Sequence, residues 1–294
     1  MKIGVCLPNY GPATAAAAIK RVALAAEAMG YDSLWVTDHI LVPEEHQATF
    51  GQVIEALITL GYLAGITKQI TLATSIIVLP QRDPILTAKQ VAAIDQLADG
   101  RLILGVGVGW MAGEFAYLRT DFRQRGRLMD EWLAVMRTLW REERPTFQGQ
   151  WIRFSETVFE PKPVQPGGPP IHIGGGSEAA LRRAARFDGW HPTGMALQPF
   201  TDSVIRLREL AGERADKLSV SLRAMVGLDV KEPEDDGRRA RFVGSATAVS
   251  DKINAYREAG LDHLVCYFRH DNEAALMAQL ERFAAEVMPA VNEQ

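Results

Sequence analysis

Residues 70–110 read ITLATSIIVLPQRDPILTAKQVAAIDQLADGRLILGVGVGW, and their reading decides the fold. Ile70–Val78 is an apolar run rich in β-branched residues, as expected of a strand covered on both faces. Pro84–Ala98 follows at helical spacing, with Pro84 in the first turn, where a missing N–H costs nothing. Arg101–Val108 is a second apolar run. Strand, helix and strand in that order make two parallel neighbours, because the helix carries the chain back to the same end of the sheet.

The same alternation extends outward in both directions. Lys2–Leu7 is a strand ahead of a helix over Thr14–Gly30, in which Ile19, Val22, Ala23, Ala26 and Met29 share one face. Ser33–Thr37 is a strand ahead of a helix around Gln52–Thr67. Beyond residue 110, a helix at Gln124–Glu143 leads to four more pairs: Pro170–Gly174 with Ser177–Phe187, Gly189–Thr193 with Pro199–Glu213, Leu218–Leu228 with Thr247–Ala259, and His263–Phe268 with Asn272–Val287. Eight strands alternating with helices predict an α/β fold, a closed (β/α)8 TIM barrel that uses residues 1–294 as one domain. Closure makes the first and last strands neighbours, so Cys6 and Cys266 fall on adjacent strands and read as core thiols.

Three segments exceed a plain barrel: His39–Gly51 after strand two, Gly109–Arg123 after strand four, and Thr146–Gly168 before strand five. The first two leave the C-terminal face, where barrel enzymes place their active sites. In the third, Gln150–Phe154 and Thr157–Glu160 read as a β-hairpin.

The composition of the 294 residues excludes whole classes of function. With 32 Lys and Arg against 36 Asp and Glu, the net charge is −4, which carries no nucleic-acid footprint. No apolar stretch is long enough to span a membrane, and MKIGVCLPNYGP lacks the apolar core of a signal peptide, so a cytoplasmic protein is expected. Two cysteines without Cys or His neighbours at ligand spacing predict no metal site.

Several residues carry chemistry. Asp38-His39 ends strand two, and histidine is the side chain best suited to exchange a proton near neutral pH. Asp38 would orient the imidazole only if strand alternation allows the two to meet. His172 and His191 stand in strands five and six, while His46, His263 and His270 read as loop or surface residues. Gly174-Gly175-Gly176-Ser177 joins a strand to a helix start whose free N–H groups suit a phosphate, or serves only as a tight turn. Gly244-Ser245 is a weaker anion candidate of the same kind. Gly105, Gly107 and Gly109 alternate at the end of strand four, where either a flat ligand approaches or crowding in the barrel is relieved. Thr74 and Ser75 end strand three with hydroxyls that bind a ring or cap the strand. Glu114 and Asp121 lie in the loop after strand four, and no spacing pairs them.

Taken together, KIGVCLPNYG, AAEAMGYDSLWVTDH, residues 70–110, PPIHIGGGSEAALRRAARFDGWHPTG and GLDHLVCYF make the chain resemble the luciferase-like monooxygenase superfamily, a family of flavin and deazaflavin barrels. Within it the sequence looks most like the group that uses coenzyme F420. The resemblance implies an oxidoreductase that moves hydride between F420 and a small organic substrate, with His39 as the acid/base beside the ring. It implies a cofactor site formed by Asp38, Thr74, Ser75, Ile76, Gly107, Val108 and the phosphate-holding Gly175, Gly176 and Ser177, with a non-proline cis bond at Ser75–Ile76. Sugar-phosphate dehydrogenases of the group carry a glutamate where this chain has Trp110, and a lysine after strand six where it has Gly194, Met195 and Ala196. Trp110, Trp190 and Met195 accordingly suggest an apolar substrate pocket. A homodimer and a separate cofactor reductase are also implied. The alternatives are an FMN-dependent monooxygenase, a non-catalytic flavin-binding protein, and a phosphate-binding barrel of non-redox chemistry.

Overall fold

A computed structural model describes residues 1–230 and 240–292. Eight parallel strands close into a barrel: β1 (Lys2–Cys6), β2 (Ser33–Val36), β3 (Thr71–Thr74), β4 (Leu102–Gly107), β5 (Ile171–Gly174), β6 (Gly189–His191), β7 (Ser219–Leu228) and β8 (His263–Phe268). Neighbours pair in chain order, and β8 returns to β1 with Val5 opposite Cys266. Eight helices alternate with them: α1 (Ala16–Ala28), α2 (Ala56–Ile66), α3 (Pro84–Leu97), α4 (Arg125–Arg141), α5 (Glu178–Ala184), α6 (Leu197–Ala211), α7 (Ala246–Glu258) and α8 (Glu273–Glu286). The starts of α3 and α8 are capped: Asp83 accepts the Leu86 N–H at 2.8 Å and Asn272 the Ala275 N–H at 2.9 Å.

Alternation along each strand sends one face outward to the helices and the other into the barrel. Ile3, Val5, Leu34, Leu72, Leu104, Leu264 and Cys266 face outward and merge with the helix faces into one large core. A smaller inner cluster holds Cys6, Trp35, Ala73 and Val265. Both cysteines are therefore core thiols, unpaired and buried, on opposite faces of the sheet.

The departures from the sequence reading are local. The third strand is not continuous over Ile70–Val78: β3 stops at Thr74, and Ile77–Val78 pairs separately with β4. The Ser75–Ile76 bond between them is cis, as the resemblance implied. The hairpin pairs Phe147–Gln148 with Arg153–Phe154 rather than Gln150–Phe154 with Thr157–Glu160. Residues 150–152 form its turn, because the Glu131 carboxylate accepts their three N–H groups at 2.8 Å each. A further strand, Arg241–Gly244, lies parallel to β7.

Candidate active site

The C-terminal ends of the strands bring His39, Ile76, Trp110, the Gly175–Ser177 turn and Gly194 to one face of the barrel. His39 is held there by a residue that spacing alone did not single out. The loop after β4 forms a short helix, Ala112–Tyr117, whose Glu114 is 1% exposed. Its Oε2 lies 3.0 Å from His39 Nδ1, while Oε1 accepts the N–H groups of Ile40 at 2.5 Å and Leu41 at 3.3 Å. Burial pushes the Glu114 carboxyl up, but the His39 contact and the Ile40 N–H outweigh it, and the net shift is downward. An ionised carboxylate at Nδ1 fixes the tautomer: Nδ1 keeps the proton, and Nε2 is the nitrogen left to exchange one.

His39 lines a cavity of about 460 Å³ together with Val42, Glu44, Gln47 and Phe50. Its ring centroid is 4.3 Å from that of Phe50 and 6.2 Å from that of Trp110, the latter edge-on. Trp110 is 57% exposed.

Asp38 does not reach the imidazole. Its carboxylate binds Arg82 at 2.5 and 3.2 Å and the Val78 N–H at 3.0 Å, fully covered by protein. Arg82 also bonds Glu55 at the start of α2. Asp38 therefore locks the end of β2 to the segment after β3 and sets the backbone from which His39 projects.

Thr74 and Ser75 also spend their hydroxyls inside the protein: Thr74 donates to the Gly105 carbonyl at 2.7 Å, and Ser75 Oγ lies 2.8 Å from His191 Nε2. Gly105 and Gly107 make room for the irregular end of β3. A Cβ on Gly105 would stand 2.0 Å from the Thr74 carbonyl oxygen, and one on Gly107 2.0 Å from Ile76 Cδ1. Relief of crowding explains both glycines. Val108 packs, half-buried, against the core.

Trp190 is not a pocket residue. It is 0% exposed, because His191 takes the inward position of β6 and alternation turns Trp190 outward, where it stacks on Phe200 with centroids 5.8 Å apart. Its Nε1 donates to the Gly175 carbonyl at 2.7 Å and steadies the glycine turn. Met195 sits beside that turn, its Cε 2.5 Å from where a Gly176 Cβ would be. Gly175 has φ +105°, a conformation that favours glycine. Ser177 Oγ caps α5 through the Ala180 N–H at 3.3 Å. The N–H groups of Gly176 and Ser177 donate to no protein acceptor among the described residues. Ser245 caps α7 in the same manner, through the Ala248 N–H at 3.3 Å.

Below the mouth lies a buried polar layer. His191 Nδ1 meets Ser221 Oγ at 2.8 Å, Ser221 approaches His172 Nδ1 at 3.4 Å, and His263 Nε2 meets Ser33 Oγ at 2.7 Å. Trp35 stacks on His191 with centroids 4.5 Å apart. Burial pushes His172 down to about 4 and His263 to about 3, and His191 falls well below its ordinary value. His263 is thus an interior residue, 2% exposed, and not a surface one: it shares a strand face with Val265, which points into the barrel. A cavity of about 860 Å³ borders His172 and His263 on the N-terminal face, remote from His39. Among the described residues no group of three His, Cys, Asp or Glu is placed to hold a metal, and no helix is long and apolar enough to cross a membrane.

A closed (β/α)8 barrel with a carboxylate-held histidine at its C-terminal mouth has the layout of a barrel enzyme. The chain belongs to the luciferase-like monooxygenase family, whose model matches residues 1–232. Members of that family are flavin- or F420-dependent oxidoreductases or monooxygenases. The chain is 32% identical over 241 residues to the uncharacterized protein Rv0940c of Mycobacterium tuberculosis, covering 76% of this chain and 83% of that one. It is 26% identical to the FMNH2-dependent dimethylsulfone monooxygenase of Pseudomonas fluorescens over 79% of this chain and 76% of that one. The fold is shared with the coenzyme F420-dependent tetrahydromethanopterin reductase of Methanopyrus kandleri, with a TM-score of 0.78, 18% identity and 98% of each chain covered.

Proposed function

We propose that the protein is an oxidoreductase that uses coenzyme F420 to reduce or oxidise a small organic substrate at the barrel mouth. The observation that carries this reading is the His39–Glu114 pair: a histidine whose Nδ1 is fixed by an ionised carboxylate at 3.0 Å presents Nε2 to a cavity. Two sets of groups without a protein partner among the described residues support this reading. They are His39 Nε2 and the N–H groups of Gly176 and Ser177, which suit a phosphate. Ile76 and the backbone of the cis bond would support the ring. When bound, the cofactor supplies the hydride chemistry. His39 Nε2 then donates or removes the accompanying proton, Glu114 holds the ring in register, and Phe50 and Trp110 flank the imidazole.

A second reading, FMN-dependent oxygenation, is favoured by the relative that is named for FMNH2. Titration of the purified protein with F420 and with FMN, followed by cofactor fluorescence, separates the two. Saturable F420 binding with no FMN binding is expected. FMN binding without F420 binding overturns the first reading in favour of the second.

A further inference from the structure

Arg223 stands on the inner face of β7, and its charge meets no carboxylate among the described residues. One terminal nitrogen donates to Thr37 Oγ1 and to the Ser75 carbonyl, at 3.2 Å each, and the other to the Tyr10 hydroxyl. The guanidinium carbon lies 5.4 Å from the ring centre of Tyr10 and 5.5 Å from that of Tyr267. Aromatic faces and neutral acceptors ease the burial of a cation but do not neutralise it. The Cys6 thiol is a fourth partner, and a guanidinium carries five N–H groups, so at least one is left over.

Arg223 lines a cavity of about 450 Å³ shared with Phe50, Thr193, Met225, Arg241 and Tyr267, and among the described residues none that lines it is acidic. Phe50 also lines the His39 cavity, so one aromatic wall joins the two. Tyr10 stacks on Phe50 and on Tyr267, with centroids 5.6 and 5.8 Å apart, and continues that wall from His39 to Arg223. The combination is an apolar trough with a proton-exchanging group at one end and a cationic fork at the other.

We propose that Arg223 binds the anionic group of the substrate, and that the substrate is an apolar molecule bearing one carboxylate. A planar guanidinium with an N–H to spare suits a carboxylate, and the counter-charge absent among the described residues arrives with the ligand. The substrate then carries a charged group in addition to the fairly apolar character that Trp110, Trp190 and Met195 suggested. The inference rests on the barrel mouth being the reaction site but not on which cofactor serves it.

The test is calorimetric titration in 150 mM salt with phenylacetate and octanoate, against their neutral amides, on the protein as purified and after saturation with F420 or FMN. The acids are expected to bind at least tenfold more tightly than the amides. Arg223→Met is expected to erase that preference. Arg223→Lys, which keeps the charge and loses the fork, is expected to reduce it severalfold and serves as the decisive arm if the Met variant does not fold. Equal binding of acids and amides, or a preference unchanged in both variants, overturns the proposal. So does exclusion of the acids by bound cofactor, which would make the cofactor the occupant of Arg223. Acid binding that depends on Arg223, in a protein that takes neither cofactor, would instead overturn the oxidoreductase reading and leave this one standing.

Discussion

His39 Nδ1 and Glu114 Oε2 lie 3.0 Å apart although 75 residues separate them in the chain. The contact joins the loop after β2 to the short helix after β4, and Glu114 also ties down the backbone at Ile40 and Leu41. The acid is buried and its shift is downward, so it stays ionised across the neutral range. His39→Ala should lower turnover by about 10²–10⁴-fold, the usual worth of a general acid or base. Glu114→Gln should lower kcat by roughly tenfold or more with a smaller change in cofactor affinity, since it acts through His39. Steady-state kinetics beside a cofactor titration checks both, and a Glu114→Gln enzyme with unchanged kcat would remove the positioning role.

The barrel was legible because its signals are local. Apolar runs bounded by helical periodicity place each strand within a few residues, and a count of eight implies closure. His39 was legible from its place after β2. Glu114 was not, because a contact across 75 residues leaves no spacing; its one trace is an acid set among apolar neighbours in MAGEFAY. Trp190 and His263 were misplaced for a shared reason: composition marks a residue as aromatic or polar, and only alternation along the strand says which face it occupies. Asp38 was read as a ligand contact because Arg82, its partner, lies 44 residues away.

Gly105 and Gly107 differ in what a methyl group would meet. At Gly105 the obstacle is the Thr74 carbonyl, which is backbone and cannot turn aside; at Gly107 it is the end of the Ile76 side chain. Gly105→Ala should therefore cost about 3 kcal/mol or more, and Gly107→Ala about 1 kcal/mol, the low end of overpacking. Adding Ile76→Ala should rescue Gly107→Ala and leave Gly105→Ala unaided. Urea unfolding of the four variants measures this, and equal losses at the two glycines would contradict the geometry.

Asp38 is fully covered and holds Arg82 through two contacts. Removing one partner of a buried pair costs about 3–5 kcal/mol. Asp38→Ala should lose stability on that scale, and Asp38→Asn less, because the amide oxygen still accepts the Val78 N–H. If denaturant midpoints of both variants match the parent while cofactor affinity falls, Asp38 is a ligand contact and not a structural one.

The buried histidines give stability a defined dependence on pH. In the unfolded chain His172, His191 and His263 take up protons below about pH 6.5. In the folded barrel burial holds His172 to about 4, His263 to about 3 and His191 well down, so the unfolded state binds more protons across that interval. Stability is complete above pH 6.5 and falls as the pH drops toward 4, each histidine contributing up to about 1.4 kcal/mol per pH unit. Urea unfolding at pH 7.5, 6.5 and 5.5 should show the loss before the carboxylates begin to titrate. His263→Asn should reduce the proton uptake on unfolding by about one. A stability curve flat from pH 7.5 to 5.5 would mean that these imidazoles are protonated in the fold, and that the polar layer beneath the mouth carries positive charge instead of neutral hydrogen bonds.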